Sequence, residues 1–143
     1  MEVSATDIAR IPVRNIRVPR EEFAAVWRTA EHRSEELGVR GESAWYNGGV
    51  VVTCRWLATT SVRPSDGRWY LAPAPITRRT ARAYEELIEA ECYEAEKISL
   101  RRSVPSWLVR RPGWVEGILA TLGWAWRRDG RPPIEVPRRT AAG

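Results

Sequence analysis

The sequence predicts a mainly α-helical single domain of three to five helices. Two stretches carry that prediction, because Phe23 to Leu37 and Tyr84 to Ile98 repeat their apolar residues at helical spacing. Breakers fall around these stretches and not within them: Pro19 before the first, Gly38 after it, and Pro105 beyond the second. A chain of 143 residues is also long enough to bury a core without disulfides or metal. The expected division is an extended N-terminal arm at 1–19, a globular domain at 20–129 and a flexible basic Pro/Arg tail at 130–143.

The arm alternates apolar and basic residues from Arg10 to Pro19, and its prolines confine it to an edge. The first helix begins near Pro19, with Glu21 and Glu22 suited to its first turn and Phe23, Val26, Trp27, Ala30 and Leu37 on one face. Residues 45–62 admit two readings. Asn47-Gly48-Gly49 before a nearly uncharged run fits a buried helix, the favoured reading. The β-branched residues Val50-Val51-Val52-Thr53 and Thr59-Thr60-Ser61-Val62 fit a strand instead, returning at Arg68–Leu71 after the turn-forming residues 63–67. A hairpin over about 50–71 makes the fold α+β.

The next helix is expected from Thr77 to about Arg102, with Tyr84, Leu87, Ile88, Cys92, Ala95 and Ile98 as its stripe. Arg78 and Arg79 then oppose the helix dipole, which points to another use for them. A last helix runs from Pro112 to Arg128, with Trp114, Ile118, Leu122 and Ala125 inward. Gly117 and Gly123 either weaken it or let another backbone approach.

Composition narrows the function classes. No apolar run reaches the ~20 residues that cross a bilayer, and the first residues lack the basic start and apolar block of a secretory signal. Two cysteines, Cys54 and Cys92, share no CxxC spacing, so a reducing cytoplasm is expected. Lys97 is the single lysine; the heavy bias to arginine matches GC-rich coding of a bacterial kind as much as selection for binding. Phosphate-loop, GxSxG, HExxH and paired CxxC motifs are absent, and no catalytic residue, metal or cofactor is implied. His32, the one histidine, falls on the solvent side of its helix, a poor place for a Cys–His pair.

Glu91 lies seven residues after Tyr84, in the middle of the apolar stripe, where a bare carboxylate is costly. Two readings follow: a pocket carboxylate, or a buried pair with Arg55, the one charge in its apolar segment. The pair is favoured.

The positive charge sits late. Residues 101–143 hold nine arginines against Glu116, Asp129 and Glu135, while the first 100 residues are nearly balanced. Arg101, Arg102, Arg110, Arg111, Arg127 and Arg128 interleave there with Trp107, Trp114, Trp124 and Trp126. Trp and Arg anchor protein interfaces, and the same pair grips phosphate and stacks on bases. The expected function is a non-enzymatic adaptor using this surface on a protein partner or a second copy of itself. Nucleic-acid binding by the same residues is the alternative, and a ligand pocket around Glu91 comes third.

Overall fold

A computed structural model describes residues 1–41, 44–63, 67–101 and 105–137. In chain order it contains α1 (Ala5–Ala9), a 3-10 turn (Val13–Asn15), α2 (Arg20–Val39), α3 (Trp45–Leu57), β1 (Ser61–Val62), β2 (Tyr70–Leu71), α4 (Glu85–Ser99), α5 (Ser106–Val109) and α6 (Trp114–Ala125). The fold is mainly α; α1 and α5 are about one turn each.

The centre is made by α3 and α6, which carry one charged residue apiece, Arg55 and Glu116. A helix apolar all round must be covered all round. Here α2 packs on α3, α4 packs on α6, and α3 and α6 cross each other. At the crossing, a Cβ on Gly49 would overlap the Trp114 carbonyl oxygen and lie 3.1 Å from the Ile118 nitrogen. One on Gly117 would overlap the Tyr46 carbonyl oxygen and lie 3.3 Å from the Gly49 Cα. Gly117 therefore serves the close approach. The Thr53 and Thr121 hydroxyls, buried beside the crossing, donate to the carbonyls of Gly49 and Gly117 at 2.7 Å. Each is thus satisfied within its own helix.

The helix reading of residues 45–57 holds, and among the described residues the strand signal survives as the two-residue antiparallel pair Ser61↔Leu71 and Val62↔Tyr70. The inward face of α2 is as expected, with Phe23, Val26, Trp27 and Ala30 buried and Phe23 stacked on Trp124 at 6.3 Å. Gly38 does not stop this helix, which continues to Val39.

The fourth helix differs most from expectation, because it begins at Glu85 and not at Thr77. Arg78 sits at φ +61°, in the left-handed region where a helix cannot continue. Side chains from elsewhere hold the preceding loop: Asn15 donates to the Ala83 carbonyl at 2.9 Å, and Trp56 to that of Ala81 at 3.4 Å. Tyr84, placed by periodicity in the stripe, is the half-exposed residue that starts the helix. Arg78 and Arg79 are loop residues, so no dipole conflict arises.

The N-terminal arm and residues 130–137 both pack against the helices. The arm winds into α1, capped by Ser4 and Asp7, and then the 3-10 turn, and it buries Val3, Ile11 and Ile16. Its Arg17 N–H donates to the Ala125 carbonyl at 2.7 Å, while the guanidinium lies 4.0 Å over the Trp126 ring. In the tail, Ile134 is buried, Tyr46 donates to the Pro133 carbonyl at 2.8 Å, and Arg33 to that of Glu135 at 3.1 Å. Residues 130–137 are thus packed against the domain. Arg138 and Arg139 lie outside the described residues.

Candidate functional site

The buried ion pair exists, with a different acid. Arg55 donates to Glu31 through two nitrogens, Nε at 2.8 Å and an Nη at 2.7 Å. Glu31 is 2% exposed and also accepts from the Trp27 indole at 3.0 Å. A two-pronged guanidinium–carboxylate pair with a third donor satisfies the buried charge. It locks α2 to α3.

Glu91, just as buried, has no contact with Arg55. Its carboxylate accepts from the Ile76 N–H at 2.9 Å, from the Thr77 N–H at 3.3 Å, and from the Thr77 hydroxyl at short range. The cavity beside it, walled by Trp56, Ala74, Thr77 and Leu87, holds about 60 Å³. Small-molecule sites run to roughly 300–1,000 Å³, so this space suits water. Glu91 is a clamp on the 72–84 loop.

The expected Trp/Arg surface divides. Trp114, Trp124 and Trp126 are core residues, none more than 5% exposed. Their helix is apolar on every face, so periodicity could not separate buried from exposed positions. Trp126 donates to Glu89 at 2.7 Å, and Arg127 pairs with Glu96 at 3.2 Å and Glu89 at 3.6 Å, so Arg127 is engaged with α4. Arg128 is exposed at φ +54°, just past α6. Arg102 lies outside the described residues.

Three exposed apolar residues lie just past the end of α4 and in α5. Leu100 is 83% exposed, Val109 66% and Trp107 42%. Trp107 meets Trp114 edge-on at 5.8 Å, and the Arg111 guanidinium lies 5.3 Å from the Trp114 ring and 5.4 Å from that of Trp45. A shallow groove of about 290 Å³ runs between Ile98, Arg101, Leu108, Val109, Arg111 and Val115. Arg101 and Arg110 are exposed and have no charged partner among the described residues. Glu116 is the one acid lining the groove.

The titratable groups used by nucleophilic enzymes are quiet. Cys54 and Cys92 are free and buried. Burial, aided by the negative charge of Glu31, pushes the Cys54 thiol far up, so it stays protonated. Cys92 is also raised, chiefly by burial. His32 is exposed and pairs with Glu36 at 2.9 Å along its own helix. Among the described residues no group of three His, Cys, Asp or Glu is placed to hold a metal, and no helix is long and apolar enough to cross a membrane.

Together these features define a class: a small helical domain whose buried Glu31 and Glu91 are satisfied by partners within the chain, with exposed apolar residues and arginines just past α4 and in α5. No family model, curated protein or solved structure matches the chain.

Proposed function

We propose that this protein is a non-enzymatic adaptor that docks an acidic, apolar-faced segment of a protein partner on the α4–α5 corner. The observation that carries it is the exposure of Leu100, just past α4, and of Trp107 and Val109 in α5, with Arg101 and Arg110 next to them in the chain and without a charged partner among the described residues. Exposed apolar residues inside a charged rim are the anatomy of a docking surface, and aromatic and arginine side chains are its usual anchors. The rim selects the occupant. Two copies meeting corner to corner would set arginine against arginine, whereas an acidic partner gains from the same charges.

The test is purification of the tagged full chain from its host after nuclease treatment, with cross-linking and mass spectrometry. The reading expects a stoichiometric protein cross-linked through an acidic stretch to residues around Trp107. That complex should be lost with Val109→Asp or Arg110→Glu and kept with Tyr93→Ser. Isolation of the chain alone, cross-links elsewhere, or nucleic acid in place of protein would overturn it.

A further inference from the structure

The β1–β2 hairpin roofs a second feature that shares no residue with the docking corner. Between it, α1 and the loop before α4 lies a cleft of about 670 Å³, lined by Asp7, Arg10, Thr59, Thr60, Ser61, Trp69 and Arg82 among others. Its volume is that of a small-molecule site. A second hollow of about 500 Å³ continues it past Ser61 and Trp69, toward Arg55, Arg63 and Tyr70.

Three properties of the larger cleft select a ligand chemistry. First, Arg10 and Arg82 come from segments far apart in sequence to line one hollow, and neither has a partner among the described residues. Two arginines against the single carboxylate of Asp7 leave the wall net positive, which favours a bound anion. Asp7, the one acid in the wall, already accepts from the Ser4 N–H and hydroxyl at 2.9 Å. Second, Thr59, Thr60 and Ser61 are consecutive hydroxyl-bearing residues lining the same wall, Thr60 buried and its neighbours more open, and Thr59 holds φ +54°, a conformation β-branched residues rarely take. Third, Trp69 is 66% exposed, with the Arg63 guanidinium over one face of its ring at 5.8 Å and the other face left to a ligand. An exposed indole offers a face to a flat ring.

We infer that this cleft binds a phosphorylated small molecule carrying a planar ring, of the nucleotide class. Arg10, Arg82 and the hydroxyl run hold the phosphate, and Trp69 stacks on the ring. Calorimetric titration of the full chain with ADP, UDP and inorganic pyrophosphate tests it, with Arg10→Gln, Arg82→Gln and Trp69→Ala as variants. These side chains are exposed, so circular dichroism should show each variant folded. At least one nucleotide should bind, with affinity lower by about tenfold or more in each arginine variant, as expected for one charge-assisted hydrogen bond. Trp69→Ala should weaken the nucleotide and spare pyrophosphate. Absence of binding by both nucleotides at millimolar concentration, or binding indifferent to Arg10 and Arg82, would overturn the inference. Pyrophosphate binding as tightly as either nucleotide would overturn the ring-stacking part.

Discussion

Alanine at two neighbouring positions, Gly48 and Gly49, should move stability in opposite directions. In an ordinary helix either change gains about 1 kcal/mol in helix propensity. At Gly48 the nearest atom to a new Cβ is the Trp114 Cδ1 at 3.8 Å, an ordinary contact, so the gain stands. At Gly49 the new carbon overlaps the Trp114 carbonyl oxygen and presses on the Ile118 nitrogen at 3.1 Å. Both are backbone atoms of a packed helix and cannot rotate away. Overpacking of a core typically costs ~1–3 kcal/mol, and a rigid neighbour places this case at or above the upper end. The net result is a loss of about 2 kcal/mol or more for Gly49→Ala against a gain approaching about 1 kcal/mol for Gly48→Ala. At roughly 3 °C per kcal/mol for a chain of this size, the two melting temperatures should differ by about 9 °C. Thermal melts followed by circular dichroism, with urea titrations to check that the m-value is unchanged, read this directly. Equal shifts in the two variants, or Gly49→Ala at least as stable as the parent, would refute the backbone crossing of α3 and α6.

Glu31→Gln leaves Arg55 without its carboxylate and should cost about 3 kcal/mol, while a double-mutant cycle with Arg55→Met should show coupling of about 1–3 kcal/mol; urea denaturation that finds the two effects additive would sever the pair. Glu91→Gln weakens the acceptor of three hydrogen bonds and should lower stability by about 2 kcal/mol, and trypsin should cut faster after Arg78 and Arg79; an unchanged cleavage pattern would deny the clamp. Cys54 holds its proton more tightly in the folded state than in the unfolded chain, so the unfolded state binds fewer protons once pH passes about 8.5 and stability falls as pH rises. The slope from this thiol approaches about 1.4 kcal/mol per pH unit, and Cys54→Ala should remove it from the alkaline limb of a stability profile measured to about pH 10.

Much of the helical scaffold could be read from the sequence, because packing obeyed periodicity there. Phe23, Val26, Trp27 and Ala30, and likewise Ile118, Leu122 and Ala125, are buried where a 3.6-residue repeat puts them. Glu31 was equally visible and was missed. It follows Trp27 by four residues and Phe23 by eight, so it lies along the same apolar stripe, the signal that drew attention to Glu91. Choosing Glu91 as the partner of Arg55 required knowing which helices touch, and spacing does not report that. The start of α4 was hidden for a similar reason. Nothing local marks Thr77–Tyr84 as a loop; Asn15 and Trp56 donate to its carbonyls and the Glu91 carboxylate accepts from Thr77, and these bonds hold it so. The corner at Leu100–Arg111 was only partly legible, since runs of Trp and Arg do not reveal which tryptophans face inward. The hairpin cleft was invisible, because Arg10, Trp69 and Arg82 meet only through the chain path.

The glycine crossing also shapes how this chain must fold. Gly49 and Gly117 stand nearly half the chain apart, and a contact between two backbones has little tolerance for approximate arrangement. The hairpin and α4 both lie in the intervening loop, whose closure cost must be met before the crossing returns any energy. For a helical protein this is a distant contact, so it points to a slow folder with the central meeting as its late barrier. Once formed, the crossing can open only when much of the core opens with it. Amide hydrogens near Gly49 and Gly117 should therefore exchange last, through global unfolding and not through local fraying.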